Sequence, residues 1–159
     1  TGMDETVYME TSVFSFYHDR RKGAAIVAMR DWTRQWWDGH RQRYEVITST
    51  AVLAELDQGN LPHREEALAM ARHLPAVAVE DDIRDIVDFY IQHRVMPNDP
   101  VGDALHLALA SFHKFDYLLT WNCEHLANAN KFGHIRRVNA LLGLHVPALV
   151  TPQQLIGGR

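Results

Sequence analysis

Short apolar runs rich in β-branched residues alternate with helical periodicity along the whole chain, and this alternation limits the fold more than any other feature. Val7-Tyr8-Met9, Glu45-Val46-Ile47-Thr48, Ala76-Val77-Ala78-Val79, Tyr117-Leu118-Leu119-Thr120 and Ala148-Leu149-Val150 read as five strands. A helix is expected over 23–42, where Ala25, Met29, Trp32 and Trp36 fall on one stripe. Ser49 is placed to cap a helix over 50–58 that Gly59 closes. Pro62 fits the first turn of a helix reaching about residue 73. Asp81 or Asp82 is expected to cap a helix with Ile83, Ile86, Val87, Tyr90 and Ile91 on one face. Pro97 and Pro100 bracket a loop, helices follow over 102–113 and 135–142, and a last turn lies over 152–156. Strands separated by helices need right-handed crossovers, so the expected class is α/β, with a mainly parallel sheet covered by helices on both faces.

The 159 residues fit a single domain, expected over 3–157, long enough to bury a core without staples. Cys123 is the one cysteine, so no intramolecular disulfide forms and a reducing cytoplasm is the expected compartment. No apolar run approaches the ~20 residues of a membrane span. The first five residues, Thr1 to Glu5, are neither basic nor apolar and do not read as a signal peptide. Sixteen Lys and Arg against twenty Asp and Glu give a net charge of −4, which argues weakly against coating of nucleic acid. A local site remains open, because carboxylates that hold a metal would themselves lower the net charge.

In parallel α/β sheets the functional crevice lies beyond the carboxyl ends of the strands. Glu10-Thr11-Ser12 comes directly after the first strand: Glu10 is either a metal ligand or solvated, with Thr11 or Ser12 capping the next segment. Glu55 sits near the boundary of the apolar face in the helix over 50–58, either at the solvated edge or turned into the crevice. Asp103 opens an almost wholly apolar helix, where free amides and the helix dipole tolerate an anion; Asp99 is the alternative cap. His106, three residues on, shares its face and reads as a satisfied packing histidine. Asn122, two residues past the fourth strand, is a neutral oxygen ligand or a turn cap. Cys123 and His125 make a weak zinc signal without a second cysteine or a spaced histidine pair. Three carboxylates and one amide oxygen at one end of a sheet make a hard-oxygen set suited to Mg²⁺ or Mn²⁺.

Tyr8-Met9-Glu10-Thr11-Ser12-Val13-Phe14-Ser15, Thr50-Ala51-Val52-Leu53-Ala54-Glu55-Leu56, Asp103-Ala104-Leu105-His106-Leu107-Ala108 and Leu118-Leu119-Thr120-Trp121-Asn122 resemble, in order and spacing, the four signature blocks of PIN-domain nucleases. The match spans nearly the whole chain and is nearest to toxins of the virulence-associated protein C type. The resemblance implies a three-layer α/β/α sandwich with a five-stranded parallel sheet, Mg²⁺- or Mn²⁺-dependent RNA cleavage, an antitoxin partner and, often, a homodimer. It makes Glu10, Glu55, Asp103 and Asn122 the metal and catalytic residues, with Thr11, Ser12 and Thr120 orienting them. Glu10 stands where the family usually has aspartate, and Asn122 where a fourth acid is often found. These two departures motivate an alternative: a catalytically inert PIN fold that binds RNA or a protein partner. A nucleotide-binding enzyme is disfavoured, since neither G-x-G-x-x-G nor G-x-x-x-x-G-K-[ST] occurs.

Arg20-Arg21-Lys22, Lys131 and Arg136-Arg137 are candidate contacts to an RNA backbone or simply solvated charge. Trp32, Trp36 and Trp37 crowd one helix. Trp36 and Trp37 cannot share a direction, so one is expected at the surface, where it would suit a dimer or antitoxin contact.

Overall fold

The computed structural model describes residues 4–96 and 100–157. Pro97, Asn98 and Asp99, read above as part of a loop and as an alternative cap, lie outside the described residues. The elements run β1 (Thr6–Met9), α1 (Thr11–Tyr17), α2 (Ala24–Gly39), β2 (Glu45–Ser49), α3 (Thr50–Gln58), α4 (Arg64–Arg72), β3 (Ala76–Val77), α5 (Asp81–Gln92), α6 (Pro100–Phe112), β4 (Tyr117–Leu119), α7 (Ala129–Leu142), β5 (Ala148–Val150) and α8 (Pro152–Gly157). A short 3-10 turn, Arg41–Arg43, leads into β2.

The five strands form one sheet in the order β3-β2-β1-β4-β5, and every neighbouring pair is parallel. The expected α/β class holds, consistent with a three-layer α/β/α sandwich. β1 is central, with Tyr8 opposite Ile47 of β2 and Leu118 of β4. Val7, Tyr8 and Met9 are fully buried, as a continuous apolar run between two helical layers requires. Full burial of a side chain such as Val7 or Met9 contributes about 1.5–3 kcal/mol. The chain winds from β1 to β2 and β3 on one side, then crosses to β4 and β5 on the other. The order therefore reverses between β1 and β4, and a crevice opens at their carboxyl ends.

Helix starts are where sequence and structure part. Ser49 caps α3 as expected, its Oγ accepting from the Val52 amide at 3.2 Å. At α4 the cap is His63, and Pro62 lies in the preceding turn rather than the first helical turn. At α5 the cap is Glu80, and Asp81 and Asp82 lie inside the first turn, where their charge still suits the helix dipole. Periodicity does not reveal α1, because seven residues are too few to display a 3.6-residue repeat.

The tryptophans of α2 also differ from expectation. Trp36 is fully buried, while Trp32 and Trp37 are half-buried. Trp32 stacks on Trp121 with ring centres 6.3 Å apart, and the Arg41 guanidinium lies 4.3 Å over the Trp37 ring. No tryptophan of this helix is therefore a bare surface anchor, and Ala25, placed on the apolar stripe, is exposed. Among the described residues no helix is long and apolar enough to cross a membrane.

Candidate active site

Glu10 ends β1 and caps α1 with its own side chain. Its Oε1 accepts from the Ser12 amide at 3.1 Å, the Ser12 hydroxyl at 2.5 Å and the Thr120 hydroxyl at 2.7 Å. The Glu10 amide donates to the Leu119 carbonyl at 3.1 Å, so the carboxylate bridges the point where the strand order reverses. Ser12 Oγ accepts the Trp121 amide at 2.9 Å, and Thr120 Oγ1 accepts the Asn122 amide at 2.9 Å. The ends of β1 and β4 are thus joined through the residues that hold Glu10. The side chain is buried, at 7% exposure, and Oε2 carries no hydrogen bond among the described residues.

Glu55 takes the second of its two sequence readings and turns toward the crevice. Its Oε1 accepts from the Thr11 hydroxyl and, at 2.9 Å, from His106 Nε2. Its Oε2 lies beside the first turn of α6: a methyl group at Gly102 would sit 3.5 Å away. The side chain is 38% exposed, so one edge of the site faces solvent. Asp103 lies in the first turn of α6 at 8% exposure, and His106 comes one turn later at 1%.

His106 has both ring nitrogens engaged, as a satisfied packing histidine would, but its partners tie it to the acids. Nδ1 is 2.7 Å from the Tyr8 hydroxyl, which is 2.8 Å from Ser49 Oγ. A carboxylate only accepts, so Nε2 donates to Glu55. In the neutral ring Nδ1 then accepts from Tyr8, and Tyr8 accepts from Ser49. Every proton in the chain Ser49–Tyr8–His106–Glu55 is thereby assigned a direction. Burial pushes the His106 pKa down, but the Glu55 hydrogen bond and the charges of Glu10, Glu55 and Asp103 outweigh it and leave it raised. Burial alone would raise the Glu55 pKa; the His106 hydrogen bond and charge and the Thr11 hydroxyl turn the balance downward. For Tyr8, burial dominates and raises the phenol well above its ordinary value.

The structure therefore ties Glu55 to the His106 imidazole, on which the charges of Glu10 and Asp103 also act. It does not pre-form a metal cage: among the described residues no three His, Cys, Asp or Glu side chains are grouped closely enough to hold one ion. Asn122 takes its turn-cap reading. Its Oδ1 accepts from the Glu124 amide at 3.2 Å and the His125 amide at 3.0 Å, which uses both lone pairs of that oxygen. Of the basic candidates, Arg21 is tied to Asp19 at 2.6 Å and Arg20 approaches Glu66 at 3.7 Å.

Sequence reasoning missed Tyr8 and the second role of Ser49. A tyrosine inside an apolar strand is absorbed by the core pattern, and a serine before a helix by the cap pattern. The faint available signal was that both are polar and stand at neighbouring strand positions pointing toward the helix that carries His106. No protein-family model matches the chain, and no curated protein matches it.

Glu10 and Glu55 each commit one oxygen to the fold and leave the other without a hydrogen bond, and Asp103 adds a third carboxylate.

Proposed function

We propose that this chain is a Mg²⁺- or Mn²⁺-dependent endoribonuclease of the PIN type, acting as the toxin of a type II toxin–antitoxin pair in the cytoplasm. The observation that supports this most is the Glu55–His106 hydrogen bond beyond the carboxyl ends of the strands, with the charges of Glu10 and Asp103 acting on the same imidazole and an unbonded carboxylate oxygen on each of Glu10 and Glu55. The resemblance of the four sequence blocks supplies the reaction and the RNA substrate.

Glu10, Glu55 and Asp103 would hold the metal, with Asn122 at the rim. When bound, such an ion lowers the pKa of a coordinated water and polarises a phosphoryl oxygen. The chain's own work is positional. Ser12 and Thr120 fix Glu10 through one oxygen. Thr11 and His106 do the same for Glu55. Tyr8 and Ser49 lock the imidazole so that it keeps donating to Glu55. Held in this way, the acids lose little side-chain entropy when they engage a ligand. The resemblance implies products with 5′-phosphate and 3′-hydroxyl ends, and single-stranded or looped RNA, whose bases are accessible, is the expected substrate.

The deciding experiment compares wild type with a folded Asp103→Asn protein on single-stranded RNA in Mn²⁺. Loss of cleavage supports the reading, and cleavage at the wild-type rate overturns it. One observation favours the inert binding module instead: the Asn122 amide oxygen is spent on the turn, leaving three acids at most. Calorimetry separates the two. Mn²⁺ binding that Glu55→Ala abolishes supports the enzyme, and a wild type that binds no Mn²⁺ supports the module.

A further inference from the structure

Four buried side-chain nitrogens lack a partner among the described residues, and two of them belong to rings that pack against each other. They are Nε2 of His18 and Nε2 of His63, on rings with centres 6.2 Å apart and planes inclined at 33°. His18 closes α1 and His63 opens α4, so two helix ends bring the rings together. His63 is 7% exposed. An unpaired buried nitrogen costs about 1–3 kcal/mol, and two on neighbouring rings leave two lone pairs open to one shared ligand.

We propose that His18 and His63 form a two-imidazole site for a borderline divalent cation of the zinc class, separate from the carboxylate site and independent of the nuclease reading. A cavity of about 510 Å³, lined by Asp19, Arg20, Arg21, Leu61, Pro62 and His63, reaches the site from the His63 side. The nearby cations are already engaged. Arg21 pairs with buried Asp19 at 2.6 Å, Arg20 approaches Glu66 at 3.7 Å, and Arg34 Nε donates to the Tyr17 carbonyl at 2.8 Å. Burial, then the neighbouring His63, lowers the His18 pKa, which keeps its ring neutral and its lone pair available near pH 7.

Two imidazoles on a tetrahedral zinc hold their ring centres about 5 Å apart. The rings would close by about 1 Å from where they stand, a side-chain adjustment. No third His, Cys, Asp or Glu among the described residues completes the set, so water fills the remaining positions. Imidazole ligands without carboxylates select Zn²⁺, Ni²⁺ or Cu²⁺ over Mg²⁺, the opposite preference to the acid pocket.

The test is calorimetric titration of Zn²⁺ into the full chain, its His18→Gln and His63→Gln variants, and Glu55→Gln. With excess Mg²⁺ present to occupy the acid pocket, the expected result is one Zn²⁺ per chain, weakened at least about tenfold in each histidine variant and unchanged in Glu55→Gln. Should a histidine variant fail to fold, the imidazole proton resonances of wild type serve instead, and those of His18 and His63 are expected to shift first on adding Zn²⁺. The proposal is overturned by a wild type that binds no Zn²⁺, by unchanged affinity in both histidine variants, by loss in Glu55→Gln alone, or by shifts confined to other histidines.

Discussion

α6 carries a buried polar network near each end, and the two are built on different terms. Near its carboxyl end, Ser111 meets Tyr90 and Asn139. The Tyr90 hydroxyl donates to Asn139 Oδ1 at 2.5 Å, and Asn139 Nδ2 donates to Ser111 Oγ and to the His145 carbonyl, each at 3.0 Å. His145 Nε2 in turn reaches the Phe115 carbonyl at 3.0 Å. This network ties α5, α6 and α7 together without a carboxylate, and burial holds the Tyr90 phenol up at about 12, so it stays neutral. Near the amino end, His106 joins Ser49, Tyr8, Glu55 and Thr11 in a hydrogen-bonded network that contains one carboxylate, the charges of Glu10 and Asp103 act on the same imidazole, and one oxygen each of Glu10 and Glu55 is left unbonded among the described residues. Both obey the rule that buried polar groups find partners. Only the second concentrates charge and keeps acceptors in reserve, which is what a site needs and a structural clasp does not.

The largest effect expected from this contrast falls on activity. Asp103→Asn should lower RNA cleavage at least about a hundredfold, measured by product release in Mn²⁺, while shifting the melting temperature little. Asn139→Ala should do the reverse. It leaves the Tyr90 hydroxyl only the long 3.4 Å contact to Ser111 Oγ and opens a cavity, costing about 2–3 kcal/mol in urea unfolding, with cleavage per folded molecule unchanged. If Asn139→Ala also lowers that specific activity, the two ends of α6 are not separable.

His106→Asn sharpens the contrast through pH. The folded pKa of His106 is raised, so its stabilising contribution is full below the ordinary histidine value and is lost as pH rises through the folded value. That of Glu55 is lowered, so its contribution is full above the ordinary glutamate value and is lost as pH falls through the folded value. The pair therefore stabilises most at roughly pH 4.5–6.5. The variant should flatten the melting profile across that window. The smallest effect belongs to Tyr90→Phe, about 1 kcal/mol, with no change in pH dependence near neutrality.

Much of this was legible in the sequence, for identifiable reasons. The strands and the face of α5 showed through because burial imposes a period, although Ile91, placed on that face, stays 40% exposed. Glu10 was singled out because it directly follows a strand of a parallel sheet, and Glu55 and Asp103 because each is a charge on a mostly apolar helical stretch. The cap assignments at Pro62 and at Asp81 or Asp82 missed because a helix start is set by backbone geometry over one or two residues, below the resolution of any pattern. The Tyr8–His106 contact was invisible because it joins positions 98 residues apart, and each alone fits an ordinary core. The pairing of His18 with His63 was hidden for the same reason: each is a lone histidine in its own segment.

The borders of the sheet have a consequence of their own. One ends in β3, two residues long, and the other in β5, three residues long. Such stubs offer a neighbouring backbone almost nothing to hydrogen-bond against, so the molecule is poorly suited to recruiting a stranger's strand or stacking into fibrils. Companions of this chain would have to grip its helices instead.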